Sequence, residues 1–359
     1  MNENVCCVKS LRAPHWASRW SNHPVSMAEL VLAGDVGGTK TWLGVFACDG
    51  ARPTAVETQR FATLQYDGLA PIIASFLEQT GTVDRIVAAC VGVAGPVRDN
   101  VSRLTNVGWR INGSALAERF GFPTVRVLND LEAMAYALPW LAAHELAVIQ
   151  PGRPVTGGTA AVIAPGTGLG EACLTTVGNR RRAMPSEAGH TDFAARTARE
   201  LELVASVTAT EGRIALEDVV SGPGLVTLHR FTHQATRCSG TPLPGDPARQ
   251  PAAVTASALT GTCDACREAL DLFVAALGAE AGNLALRTLP TGGLFVGGGI
   301  APRILPVLRS TGFLDALSSK GTMRTLVEQI PVFVILEPQV ALIGAAVQAG
   351  AIHTTRSRT

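Results

Sequence analysis

One construction occurs twice in this chain and dictates most of what it can fold into: a strand-like apolar run, a glycine turn carrying a threonine, and a second strand-like run. The first copy is Leu30-Val31-Leu32-Ala33, then Gly34-Asp35-Val36-Gly37-Gly38-Thr39-Lys40-Thr41, then Trp42-Leu43-Gly44-Val45-Phe46. The turn misses the phosphate-loop pattern GxxxxGK[ST] by one position, because Thr39 stands where the last glycine belongs. A phosphate loop must also open a helix whose N-terminal amides cradle the anion, whereas the residues after this turn are β-type. The segment therefore reads as a hairpin. Gly37 and Gly38 permit tight-turn dihedrals and let a phosphate approach the backbone, while Asp35 can hold Mg²⁺ through water. An ordinary structural hairpin satisfies the same string.

The second copy lies about one domain later. Thr159-Ala160-Ala161-Val162-Ile163-Ala164 runs into Pro165-Gly166-Thr167-Gly168-Leu169-Gly170 and on into Glu171-Ala172-Cys173-Leu174-Thr175. Two such hairpins, one per half, imply two related α/β lobes that grip a phosphate chain between them. Around the first, strands are expected near 30–33, 41–46, 54–61, 85–93 and 124–128, with helices near 69–78 and 114–120, the alternation of an α/β domain with a mixed sheet. Further on, helices are expected near 196–207, 225–233, 263–289, 302–310 and 340–349, with a strand entering Gly297-Gly298-Gly299. The segment 240–247 reads as an exposed loop.

A chain of 359 residues exceeds what one core usually organises, and 47% hydrophobic against 16% charged content supports two well-buried cores. A net charge of +1 leaves no basic field for nucleic acid, and Arg180-Arg181-Arg182 reads as a solvated loop. The longest apolar stretches are interrupted before the length of a bilayer span, so no membrane segment is expected. Residues 1–26, broken by Pro14 and Pro24, lack the apolar core of a secretory signal, and Met27 is a candidate start. Eight cysteines at 6, 7, 48, 90, 173, 238, 263 and 266 form no small-domain disulfide framework, which fits a reducing cytoplasm. Cys263-x-x-Cys266 alone has metal-like spacing. With no second ligand pair beside it in the sequence, it reads as two thiols one helical turn apart, and no zinc is expected.

Three further segments carry chemistry. Asn129-Asp130 closes a strand and precedes Leu131-Glu132-Ala133-Met134-Ala135-Tyr136-Ala137, so a carboxylamide and a carboxylate stand at a strand's carboxyl end, where open α/β sheets bind ligands. Capping of the helix by Asp130 explains the same pattern. Pro185-Ser186-Glu187-Ala188-Gly189-His190 places a carboxylate and an imidazole three apart in a turn, both able to hydrogen-bond hydroxyls. A di-iron Glu-x-x-His pair needs a regular helix, which Pro185 and Gly189 oppose. Glu217, before Val219-Val220-Ser221-Gly222-Pro223-Gly224, reads on its own as an ordinary carboxylate.

Taken in order, the first hairpin, Val93-Ala94-Gly95-Pro96, Leu104-Thr105-Asn106-x-x-Trp109, Leu128-Asn129-Asp130, the second hairpin, Glu187 to His190, Ser221 to Leu225 and Gly297-Gly298-Gly299 resemble the bacterial glucokinase family, over roughly 28–352. The resemblance implies the actin-like sugar-kinase (ribonuclease H-like) fold: two α/β lobes with ATP and glucose in the cleft between them. It implies a small domain at 29–140 completed by a C-terminal helix at 338–352, a large domain at 141–337, and a poorly ordered extension at 1–28. Carried over by position, Asp130 is the general base, and Asn106, Asn129, Glu187, His190 and Glu217 hold glucose hydroxyls. Gly34, Asp35, Val36, Gly37, Gly38 and Thr39 face phosphates and Mg²⁺, Gly166, Thr167 and Gly168 form the second phosphate loop, and Gly298 and Gly299 lie on the adenosine side. The implied reaction is MgATP-dependent phosphorylation of the glucose 6-hydroxyl, in the cytoplasm, with a homodimer admitted and no nucleic acid or membrane partner.

Two departures stand out. Ser186 and Ala188 replace glycines associated with that loop. The related repressor and open-reading-frame kinase family carries a cysteine-rich zinc motif after its sugar-binding histidine, whereas here Thr191-Asp192-Phe193-Ala194 follows His190 and the next cysteine is Cys238. A sugar-responsive transcriptional regulator would need a helix-turn-helix that residues 1–26 are too short and too weakly basic to form. An actin- or chaperone-like ATPase would use the hairpins without the Asn129, Asp130, Glu187 and His190 set.

Overall fold

The computed structural model describes residues 29–48, 52–104, 107–178 and 180–356. Its first sheet has strand order β3-β2-β1-β4-β8, built from β1 (Leu30–Val36), β2 (Lys40–Ala47), β3 (Thr54–Ala62), β4 (Ile86–Val93) and β8 (Val125–Asn129). Between β4 and β8 the chain forms a small antiparallel sheet of β5 (Val97–Arg98), β6 (Val101–Arg103) and β7 (Arg110–Asn112). The second sheet runs β12-β11-β10-β13-β14-β9, from β9 (Leu146–Gln150), β10 (Ala160–Pro165), β11 (Leu169–Val177), β12 (Arg180–Ser186), β13 (Gly293–Val296) and β14 (Val332–Ile335). Each sheet therefore has an antiparallel hairpin, β1-β2 or β10-β11, whose first strand pairs parallel with the next strand, β4 or β13, and β9 adds antiparallel to β14 at the edge of the second sheet. The twofold recurrence read from the glycine turns is present in the topology.

The helices are α1 (Leu69–Thr80), α2 (Gly113–Phe120), α3 (Asp130–Ala137), α4 (Ala198–Glu211), α5 (Gly222–Thr232), α6 (Gln250–Leu259), α7 (Asp264–Thr288), α8 (Leu305–Leu308), α9 (Thr311–Ser318), α10 (Arg324–Glu328) and α11 (Val340–Arg356). Amphipathic spacing explains α1: Leu69, Ile72, Ile73, Phe76 and Leu77 are buried along one face, and Gly81 ends the helix in the left-handed region. With α2, that face closes a core on one side of the first sheet. A second core lies on the far side of the second sheet, under α5, α6, α7 and α9. The third runs through the join, where α3 and α11 pack with residues of both sheets. Gly344 is what lets α11 cross α3 so closely, since a Cβ there would stand 1.7 Å from the Ala133 carbonyl oxygen.

Several expectations are corrected. Arg180, Arg181 and Arg182 lie on the edge strand β12, exposed but paired to Val177, Thr176 and Thr175. The segment near 302–310 is a 3₁₀ turn, Ala301–Ile304, followed by the single turn α8. Among the described residues, α7 is long and apolar enough by length and composition to cross a bilayer, yet 72% of that window is buried inside the protein: it is a core helix. Cys263 and Cys266 do have neighbours of ligand type, because α5 and the loop after it bring His233 and Cys238 against them. Local sequence could not show that pairing, and the reasoning that excluded zinc does not hold. Residues 1–28 and Asn106 lie outside the described residues.

Candidate active site

The first hairpin closes between Val36 and Thr41, and the Gly37 N–H donates to the Lys40 carbonyl at 2.9 Å. Thr63, which sequence reasoning missed, braces it from behind. Its buried hydroxyl donates to the Gly37 carbonyl at 2.9 Å and meets the Thr41 hydroxyl at 2.9 Å, while its N–H donates to the Thr39 carbonyl. No pattern in the sequence announces this contact, which spans 26 residues. Asp35, in register with Trp42, is half-buried at the end of β1. Burial, reinforced by the nearby Asp130 charge, pushes its carboxyl up to about 7.

β8 ends at Asn129, beside Val93 of β4, and α3 starts at Asp130. The cap question resolves in favour of Asn129. Its Oδ1 accepts the Leu131 N–H at 2.9 Å and the Glu132 N–H at 3.3 Å, and its Nδ2 donates to the Gly95 carbonyl at 3.2 Å. Asp130 thus projects from a capped helix start, sharing the Leu131 N–H at 2.9 Å. Burial raises its carboxyl to about 6, the Leu131 amide opposes this, and the Glu187 charge adds to it. Asp130 thus stands between two carboxylates, its charge acting on Asp35 and that of Glu187 acting on it.

The second hairpin closes between Pro165 and Leu169, with the Gly166 N–H donating to the Gly168 carbonyl at 2.8 Å. Glu217 reaches it from a 3₁₀ turn: Oε2 accepts the Leu169 N–H at 3.3 Å, and a Cβ on Gly168 would stand 2.6 Å from the same oxygen. Glu217 Oε1 accepts from His190 Nδ1 at 3.1 Å, so in the neutral tautomer that makes this contact Nε2 is an acceptor. His190 follows Gly189, where a Cβ would stand 2.1 Å from the Leu169 carbonyl oxygen, so this loop is pressed onto the hairpin. Glu187 and His190 are exposed and Glu217 is half-buried, as groups awaiting a polar ligand would be.

Ser221, also missed, ties this corner to α5: its hydroxyl donates to the Glu217 carbonyl at 2.6 Å and accepts the Gly224 N–H at 2.9 Å. The next residue, Gly222, donates its N–H to the Gly166 carbonyl at 2.8 Å. Gly298, with φ of +78°, lies against the same hairpin, where any Cβ would collide with the Pro165 carbonyl oxygen, while Gly299 faces open space. Beyond it is a cavity of about 210 Å³ lined by Leu225, Pro251, Thr255, Leu259, Ile300 and Arg303. Contacts thus join His190, Glu217, the second hairpin and Gly298, while Asp130 is tied to this group through the charge of Glu187, three residues before His190. α3 holds the two sides of the site together, with Leu131 filling the space over Gly170 and Met134 that over Gly297.

Comparison with known proteins gives the family of the chain. The family model for glucokinase matches residues 32–351. A glucokinase of Trichormus variabilis is 37% identical over 343 residues, covering 89% of this chain and 98% of that one. Among solved structures, a glucokinase from an Antarctic psychrotroph superposes with a TM-score of 0.79 at 31% identity, covering 90% of this chain and 99% of the other. A ROK family glucokinase from Streptomyces griseus in complex with glucose and AMPPNP shares the fold, at a TM-score of 0.58 and 22% identity over 89% of this chain and 99% of that one. With the model match spanning nearly the whole described chain and the identity sustained over its length, this protein belongs to the glucokinase family.

Proposed function

We propose that Asp130 is the general base of a reaction in which the 6-hydroxyl of D-glucose takes the γ-phosphate of MgATP. The chain is an ATP-dependent sugar kinase of the glucokinase family; the assignment of residues to steps is our reading. The observation that carries it is the carboxylate at the start of α3, released from capping by Asn129 and raised by burial to about 6. A base of that strength is ionised at neutral pH and still able to accept a proton as the oxygen–phosphorus bond forms.

Glucose would lie against Glu187, His190 and Glu217, with Asn129 and Asn106 as further candidates. The unoccupied acceptor of His190 and the carboxylate oxygens match a ring rich in hydroxyl donors. Phosphoryl transfer asks mainly for positioning and charge compensation, so the two hairpins have the larger task. Gly34, Asp35, Val36, Gly37, Gly38 and Thr39 would meet the phosphates from one side and Gly166, Thr167 and Gly168 from the other. The apolar slot beside Gly298 and Gly299 would take the adenine, which needs a dry, flat site. The residues also suit Mg²⁺: Asp35 is a hard oxygen donor whose ionisation is costly beside Asp130 unless a cation is near. Asp35 would hold Mg²⁺ there, and the ion would supply charge neutralisation at the transferring phosphate. We read residues 29–140 with 338–352, and residues 141–337, as the two units whose closure excludes water. The fold and the free cysteines among the described residues suit a cytoplasmic enzyme.

The test is Asp130→Asn assayed by coupled glucose 6-phosphate formation. The amide keeps the helix start and glucose contacts, so kcat should fall by about 10²–10⁴-fold with KM for glucose little changed. Near-normal turnover in the folded variant would remove Asp130 from the role.

A further inference from the structure

At the far end of α5 from the cleft, four side chains that nothing in the phosphotransfer uses converge. His233 closes α5, Cys238 lies in the loop after it, Cys263 is the residue before α7, and Cys266 is in that helix's first turn. His233 Nε2 is 3.3 Å from Cys263 Sγ and 3.9 Å from Cys266 Sγ, and Cys238 Sγ is 3.8 Å from Cys263 Sγ and 3.7 Å from Cys266 Sγ. These separations have a simple meaning. Zinc binds thiolate sulfur at about 2.3 Å and imidazole nitrogen at about 2.0–2.1 Å, so the ligand atoms of a tetrahedral site stand roughly 3.5–3.8 Å apart. A disulfide would need sulfurs at about 2.0 Å. Four measured edges fall near the tetrahedral value and none near the other, and all three cysteines are free thiols.

The surroundings fit the same purpose. His233 Nδ1 lies 2.7 Å from the His229 carbonyl oxygen, which can only accept, so the ring proton is on Nδ1 and the Nε2 lone pair faces the sulfurs. Cys263 and Cys266 are 3% and 1% exposed. His229 stacks on His233 at 3.9 Å between ring centroids, and both its nitrogens are buried without a hydrogen-bond partner among the described residues. It belongs to the same cluster, within 4.8 Å of the His233, Cys238 and Cys266 ligand atoms.

We propose that Cys238, Cys263, Cys266 and His233 form a structural zinc site that clips the end of α5 and the loop after it to the start of α7. Three sulfurs and one imidazole are the donors a soft-tolerant tetrahedral ion selects, and four protein ligands leave no open position for catalysis. α5 has 11 residues, so the site is about 16 Å along the helix from Gly222 and the second hairpin. Its effect on the kinase is therefore to fix α5 and to close the 238–263 segment, which includes α6 and the wall of the adenine slot.

The experiment uses the full chain, purified reduced and without chelator, with metal measured by plasma mass spectrometry before and after incubation with Zn²⁺. The expected content is about one zinc per chain, as for a closed four-ligand site. With Co²⁺ in place of Zn²⁺, the protein should show tetrahedral d–d bands and a thiolate-to-cobalt charge-transfer band. Cys238→Ser, on the loop, should lose both while its circular dichroism shows a folded chain, and a strong chelator should lower the melting temperature of the parent but not of this variant. His229→Phe should keep the metal and His233→Phe should lose it. Failure of the reduced parent to take up Zn²⁺, undiminished metal in Cys238→Ser, or the opposite behaviour of the two histidine variants would overturn the assignment. Glucose phosphorylation is measured alongside and is a separate readout.

Discussion

Asn129 joins the fold to the chemistry, so replacing it tests both. In Asn129→Ala the helix loses the acceptor for the Leu131 and Glu132 amides, and the Gly95 carbonyl loses its donor. Removal of an N-cap costs about 0.5–2 kcal/mol. The Gly95 bond adds about 0.5–1.5 kcal/mol, as for a typical net hydrogen bond, since Gly95 is only half-buried and water can replace part of it. The sum is about 1–3.5 kcal/mol. Kinetically the same change loosens the first turn of α3, on which Asp130 is carried, and a misplacement of about 1 Å can cost about 10²-fold in rate. Asn129→Asp separates the effects: an aspartate caps as well as asparagine and suits the positive helix terminus, but cannot donate to Gly95 and adds a charge beside Asp130. Urea melts should show most of the stability restored in Asn129→Asp. Its kcat should stay low at neutral pH and recover as pH rises, because the added charge holds Asp130 protonated to higher pH. Equal stability of Asn129→Ala and the parent, or an Asn129→Asp no more stable than Asn129→Ala, would refute the cap assignment.

Other expectations follow from the same geometry. Because Asp130 must be ionised to accept a proton, kcat/KM for glucose should decline as pH falls through about 6, and a profile flat to pH 4.5 would contradict its role. Asp35 is raised from 3.8 to about 7, so the folded state binds the extra proton between those values; its ionisation costs stability as pH rises through that window. Asp35→Asn should therefore melt higher than the ligand-free parent at pH 8 while losing MgATP use, and a lower melting temperature would count against the burial argument. Gly298→Ala combines a left-handed φ, costing about 1–2 kcal/mol, with a backbone clash at the Pro165 carbonyl, whereas Gly299→Ala meets nothing. The first should be destabilised and weak toward MgATP and the second stable; equal melts would show the conformations are not those described. Arg52 holds the Glu145 carboxylate through two bonds of 2.6 and 2.7 Å and lowers it from 4.5 to about 2, a contribution present above pH 4.5 and lost as pH falls toward 2. Arg52→Ala should flatten acid unfolding in that window and cost about 1.5–3 kcal/mol at pH 7, read from urea melts.

Much of the protein was legible in its sequence because its informative features are local. A hairpin is set by a few consecutive residues, so the glycine turns at 37–38 and 166–168 announced two strand pairs and, by recurring, two sheets. The helix of Leu69 to Leu77 showed its buried face in its own spacing. The order of motifs along the chain gave the family and thereby the candidate base. What the sequence left open were choices between residues that only contact can make. The sequence offered Asp130 as the helix cap, but the cap is Asn129, whose amide is also held by the Gly95 carbonyl 34 positions away. The support of the first turn by Thr63 joins groups 26 residues apart that share no periodicity. The cysteine pair at 263 and 266 lacked ligands along the chain and gained His233 and Cys238 only when α5 was laid beside α7. Local patterns fix elements because backbone geometry is short-ranged; the environment of a titratable or ligating side chain is the sum of what packing brings to it, and that is decided by the tertiary fold.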